Sequence, residues 1–242
     1  MSYNHNSKST HKGVLMKQMS LGLILFMVTG SALMAKDTAV NLTIPSEDVN
    51  RVFLNVEGLI FLENSADMDI HIEVSTEIQG EVHGFSNHES IPRYEVETTL
   101  DENILMITPK TRTPQWSVGF STRSETHIHT IQIPRDMNVE ILSRDSKVAV
   151  QGEYRTLAVL NHRGEIETTI PDKSLRYLKC TTETGAIKVN ENVVESGFTY
   201  ADSGNYVVEL NTSSGSITIT SNLSGIELSS HSLTMDRAGG SK

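Results

Sequence analysis

Between Met137 and Ile226 one short pattern recurs, and it restricts the chain to strands that turn a corner about every twenty residues. In each occurrence two apolar residues alternate with polar ones, a tight polar turn follows, and two more alternating apolar residues complete the unit. Aligned on the turn, the first runs Val139, Ile141, turn at Ser146, Val148, Val150. The second runs Leu157, Val159, turn at Gly164, Ile166, Thr168, and the third Leu178, Cys180, turn at Gly185, Ile187, Val189. A fourth runs Val208, Leu210, turn at Gly215, Ile217, Ile219. A variant one residue shorter before its turn reads Phe198, Tyr200, Gly204, Tyr206, Val208. Steps along the first apolar slot, Val139 to Leu157 to Leu178 to Phe198, are 18, 21 and 20 residues.

Residues two apart in a strand point the same way, so each apolar pair faces inward while Glu165, Glu167, Lys188 and Thr218 face water. One such coil cannot bury its apolar face alone; stacked on others at about 4.8 Å, it contributes to a continuous aliphatic column. The expected fold is therefore all-β: a single-domain β-solenoid, right-handed and parallel β-helix-like, with an irregular N-terminal region. Beyond Ala35 no segment has the spacing of an amphipathic helix. Glycines at the corners suit positive φ and close backbone approach, so Gly185→Val should cost far more than an exposed change such as Lys188→Thr.

The expected organisation is a signal peptide over 1–35, a β region over 36–135 with loops at 80–92 and 108–123, the solenoid over 136–230, and a disordered tail over 231–242. A basic stretch ending at Lys17, an apolar run from Leu21 to Val28, and small residues up to Ala35 give the secretory pattern. An uncleaved anchor is the alternative, the run from Met19 to Ala35 being marginal for spanning a membrane. In the N-terminal β region Val52, Leu54 and Val56 alternate up to Gly58 as a fainter copy of the unit, Met68 to Val74 continue at period two, and the turn Asp101, Glu102, Asn103 predicts a hairpin.

Twenty basic against thirty acidic residues give a net charge of −10. That disfavours nucleic acid, whose phosphates need clustered Lys and Arg, and anionic membrane surfaces. A single cysteine, Cys180, rules out an intramolecular disulfide, and its inward slot makes it a small core hydrophobe rather than a nucleophile.

The phrase Ile131, Gln132, Ile133, Pro134, Arg135, then Val139 and Ile141, leads into Thr184-Gly185-Ala186-Ile187-Lys188-Val189 and Ser214-Gly215-Ser216-Ile217-Thr218-Ile219. It resembles the Putative adhesin family of bacterial domains of unknown function, and is similar to the related head domain of auto-transporter adhesins. The resemblance covers Val52 to Leu228 and is strongest after Thr126. Where the family carries Asp after the turn glycine, this chain has Glu165, Ala186, Asn205 and Ser216, so no repeated acidic site is carried over. What the resemblance implies is a secreted or envelope-exposed β-solenoid with no catalytic residues.

Three constellations bear on function. Glu140, Glu165, Glu167 and Glu209 stand on outward slots, but a glycosidase needs two carboxyls at a set separation, and here no pair recurs; a solvated face is the reading. His127 and His129 share a strand face and would make a metal site only with a third ligand, for which His71, His83 and His88 are the available partners; nothing in the spacing brings these together, so both are read as surface or strand-edge residues. Trp116 and Phe120 form either a ligand rim on a loop or, in the case of Trp116, a cap over the open solenoid end. No cofactor motif occurs.

The functional expectation is a non-enzymatic exported surface or envelope protein, an adhesin-like scaffold or binding module for an unknown envelope protein or glycan. A polysaccharide-active β-helix enzyme and a self-stacking structural or envelope-stress component, associating end to end, are the alternatives.

Overall fold

The computed structural model describes residues 35–36, 40–79, 82–85, 94–110, 118–121, 124–171 and 175–221. Residues 1–34, which hold nearly all of the expected signal peptide, lie outside them, as do Trp116, His88 and the expected tail. The first strands are β1 (Ala35–Lys36), β2 (Val40–Pro45), β3 (Arg51–Asn55), β4 (Gly58–Asn64), β5 (Asp69–Gln79) and β6 (Val82–Phe85). Next come β7 (Val96–Asp101), β8 (Ile104–Pro109), β9 (Val118–Ser121), β10 (Ser124–Ile133), β11 (Asn138–Gln151), β12 (Thr156–Arg163) and β13 (Ile166–Ile170). The last are β14 (Leu175–Thr184), β15 (Ile187–Val189), β16 (Asn192–Val194), β17 (Thr199–Ala201), β18 (Tyr206–Ser214) and β19 (Ile217–Ser221). Among the described residues no helix is long and apolar enough to cross a membrane.

Alternation becomes two ladders. In the first, β3, β11, β12, β18 and β14 lie side by side and parallel; in the second, β10, β4, β11, β13, β19 and β15 do the same. The long β11 bends at Arg144–Ser146 and belongs to both, which joins them into one 17-stranded sheet. Four inward columns result, and they form a single core. One is Val52, Val139, Leu157, Val208 and Leu178; the next is Leu54, Ile141, Val159, Leu210 and Cys180. Past the corner come Ile60, Val148, Ile166, Ile217 and Ile187, then Leu62, Val150, Thr168, Ile219 and Val189. All are buried. Burying each such aliphatic side chain contributes about 1.5 to 3 kcal/mol.

Between the ladders the chain turns through positive φ at Gly58, Gly164, Gly185 and Gly215. Backbone approaches so closely there that a Cβ on Gly164 would sit 2.1 Å from the Ser146 carbonyl oxygen, and one on Gly215 would sit 1.9 Å from that of Gly164. Beside the corner runs a buried polar row of Ser143, Asn161, Thr212 and Thr182. Asn161 Nδ2 donates to the Ser146 carbonyl at 2.7 Å and Asn161 Oδ1 accepts from Ser143 Oγ at 3.0 Å, holding the bend of β11 to the next coil.

The sheet departs from a regular parallel coil in three respects. First, the units do not stack in sequence order: β18–β19 lies between β12–β13 and β14–β15, so Val208 separates Leu157 from Leu178. Second, the shorter unit from Phe198 to Val208 forms no coil. Gly204 is not among the positive-φ glycines, and Thr199–Ala201 folds back antiparallel on β14 instead of joining the parallel ladder. Third, antiparallel strands flank both ends of the stack: β7 on β8, β5 on β10 and β2 on β5 at one end, β16 on β15 and β17 on β14 at the other. The β7–β8 turn, Glu102–Asn103, and the β15–β16 turn, Asn190–Glu191, have positive φ at both residues, as two-residue hairpin loops require.

The stretches 80–92 and 108–123, read from sequence as loops, are not structureless. Thr108 and Pro109 complete β8, while β6 and β9 pair with each other in a separate two-stranded sheet, with His83 opposite Phe120.

Candidate binding cleft at the corner

The corner column ends in a cleft of about 570 Å³ where β4, β10 and β11 come together. Its chemistry comes from Glu57, Glu125, His127, Arg144, Asp145 and Lys147. Glu57 directly precedes the corner glycine of β4, which places its carboxylate under the bend of β11. There it accepts the backbone N–H of Arg144 at 3.0 and 3.1 Å and that of Asp145 at 2.8 Å. Arg163 pairs with Asp145 at 2.7 Å on the neighbouring coil. Lys147 donates to Glu167 at 2.9 Å and lies 3.3 Å from Glu165. Those two carboxylates, Glu167 foremost, raise the Lys147 ammonium above its ordinary value. Arg144 itself is exposed at the cleft wall.

Behind the cleft the two histidines part company. His127 stacks on Tyr94, with ring centroids 3.8 Å apart and planes inclined by 17°, and its Nδ1 lies 3.2 Å from Thr76 Oγ1. His129 is fully buried, which corrects its reading as a surface or strand-edge residue. Register gives the reason: on β10 it takes the inward slot between Ile60 of β4 and Val74 of β5. Its Nε2–H donates to the Glu57 carbonyl at 3.1 Å, Tyr94 meets its ring edge-on at 5.5 Å, and its Nδ1 has no hydrogen-bond partner. Among the described residues no three His, Cys, Asp or Glu side chains converge to hold a metal ion. His71 is engaged elsewhere, with Asp67 at 2.8 Å and Thr43 at 3.2 Å.

Burial first, then the nearby charge of His127, lowers His129 to about 4, against the opposing effect of its hydrogen bond to the Glu57 carbonyl. The unfolded chain therefore binds this proton more readily than the folded one, and stability falls as pH drops from 6.5 towards about 4. The expected loss over that window is on the order of 3 kcal/mol, with His127, Glu57 and Glu125 as the other titratable groups nearby. Urea melts of the wild type at about pH 5 and about pH 7 should differ, and His129→Phe should narrow the difference. An unchanged pH dependence in that variant would remove His129 as its source.

The other residues singled out in the sequence do not gather here. Glu140 pairs with Arg51, and Glu209 stands in register between Ala158 and Lys179 on the other ladder. Glu165 and Glu167 both face Lys147. Phe120 is in β9, away from the two ladders' register. Cys180 is buried in its column, and burial pushes its thiol up to about 12. Sequence reasoning missed Tyr94 and Glu57; the only signal for Glu57 was its place immediately before a corner glycine.

No family model matches the chain, and neither does any curated protein. Among solved structures it is similar to a "putative cell adhesion protein" of Clostridium sporogenes at 12% identity, with 77% of this chain and 100% of that one covered and a TM-score of 0.44. A "putative adhesin" of Bacteroides fragilis gives 12% identity, coverage of 76% and 97%, and a TM-score of 0.31. A "putative lipid binding protein" of Parabacteroides distasonis gives 8%, coverage of 76% and 96%, and 0.24. Likenesses this distant carry no argument about function.

Proposed function

We propose that the protein is an exported, non-enzymatic binding module of the cell envelope, adhesin-like in role and solenoid-like in build. The single observation that carries this reading is the corner cleft, whose walls are fixed by the fold itself. Glu57 is anchored by two backbone N–H groups and the lysine at the opposite wall is held by two glutamates, which leaves Arg144 to meet a ligand from outside. Sites built on strands with locked side chains lose little freedom on binding. Glu140 faces Arg51, Glu165 and Glu167 face Lys147, and the one thiol is buried, which supports recognition over turnover. Export is supported by the basic, apolar and small-residue order of the first 35 residues.

The test is retention of glycans and envelope proteins from a defined panel by the wild type and by Arg144→Glu. Retention by the wild type, weakened about tenfold or more in the variant, is expected. Equal retention by both would remove the cleft from the reading. Release of shortened sugars from the panel would replace binding with enzymatic turnover.

A further inference from the structure

Strand β8 continues the first ladder by pairing parallel with β3, and β7 pairs antiparallel with β8, its only described ladder partner, so β7 is the last described strand at that end. The Lys110 N–H donates to the Glu95 carbonyl just before β7 begins, which fixes which backbone groups point where. Antiparallel pairs alternate between bonded and non-bonded, so Glu97, Thr99 and Asp101 direct their N–H and C=O groups to β8. Those of Val96, Thr98 and Leu100 point to the edge that no other described strand pairs, the open edge among the described residues. Native proteins blunt such edges with lysine, proline or a bulge. None of these stands between Val96 and Asp101, where the only charged side chains are the acids Glu97 and Asp101, which repel an acidic strand and attract a basic one.

The side chains of β7 add a second observation. Leu105 and Ile107 of β8 are buried, and in register with them stand Leu100 and Thr98. Leu100 is nevertheless 53% exposed and Thr98 is exposed too, so the apolar face of the sheet runs one strand past its cover. On the opposite face Glu97 and Asp101 project, with Glu102 following in the turn, and all three are exposed. A strand laid along this edge would therefore set apolar residues over Leu100 and Val96, and on its other face meet carboxylates.

We propose that the edge of β7 is a strand-addition site for an extended segment of a partner protein in which apolar residues alternate with lysine or arginine. Main-chain bonds to Val96, Thr98 and Leu100 supply the pairing, while alternate side chains supply selectivity. A second copy of this chain is a poor occupant. Pairing β7 with itself brings Glu97, Asp101 and Glu102 of both copies together in a protein of net charge −10, and like charges across a ladder repel. The site is separate from the corner cleft, and either can fail without the other.

The probe is a fluorescein-labelled nine-residue peptide alternating lysine with valine and threonine, titrated with the full chain and followed by anisotropy; a glutamate version and a scrambled version are the controls. The lysine peptide should bind saturably, at least about tenfold more tightly than either control, and weaken with salt. Thr98→Pro removes a donor from the open edge and leaves the β8 bonds in place, and should weaken binding about tenfold or more. The exposed double change Glu97→Lys with Asp101→Lys, which does not touch the edge backbone, should switch preference to the glutamate peptide. Absence of binding by the lysine peptide, equal binding of the scrambled one, or wild-type affinity in the double variant would overturn the proposal. So would sedimentation showing a dimer that the double variant abolishes, since β7 would then be occupied by a second copy.

Discussion

Gly185→Val is expected to cost on the order of 4 kcal/mol or more, lowering the melting temperature by roughly 10 °C or more, whereas Lys188→Thr should stay within about 0.5 kcal/mol. Gly185 has φ +153°, a conformation that valine adopts only under strain. Its added Cβ would also sit 1.9 Å from the carbonyl oxygen of Gly215 and 2.7 Å from its carbonyl carbon. That backbone cannot retreat, because Gly215 lies just as close to Gly164, and Gly164 to Ser146. Displacing one corner displaces the whole file. Lys188, three residues on, is exposed and points away from the core. Thermal unfolding followed by circular dichroism is the measurement, and equal melting temperatures for the two variants would contradict the corner assignment.

Leu210→Ala should cost about 2 to 5 kcal/mol, and its interactions report the order of the stack. Leu210 lies between Val159 and Cys180 in one column, fully buried. Double-mutant cycles in urea should give coupling of about 0.5 to 3 kcal/mol for Leu210 with Val159 and for Leu210 with Cys180, and within about 0.5 kcal/mol for Val159 with Cys180. A stack of the four units in sequence order keeps the Leu210–Cys180 coupling but exchanges the other two, with Val159 and Cys180 in direct contact and Leu210 parted from Val159. Strong coupling of that last pair would refute the insertion of β18–β19.

The columns were legible because they rest on local information. Period-two alternation and a turn residue at a fixed offset suffice to say that Val139, Ile141, Val148 and Val150 face inward with their counterparts. Stacking order was not legible, because Val208 and Leu178 are interchangeable as neighbours of Leu157: every coil offers the same aliphatic slots. The failure of the Phe198 unit was not legible either, because Thr199–Ala201 pairs antiparallel with β14 and alternation does not state the direction of pairing. His129 was misread for a related reason. A histidine at an inward period-two position looks polar in sequence, and only pairing with Ile60 and Val74 shows that its slot is sealed. The cleft escaped notice because its residues come from Glu57, Glu125–His127 and Arg144–Lys147, three stretches brought together by parallel register rather than by spacing. The hairpin at Glu102–Asn103 was read correctly, since its turn chemistry is local.

The placement of β18–β19 also governs how the molecule comes into being. A chain whose rungs follow sequence order can add each rung to a finished surface as it emerges from synthesis. Here β14 and β15 are made before either of their parallel partners exists, with only the later β16 and β17 to hold them by antiparallel pairing. The parallel pairing of β14 and β15 thus depends on β18 and β19, the last described strands, so this part of the stack rests on contacts that a growing chain can complete only late.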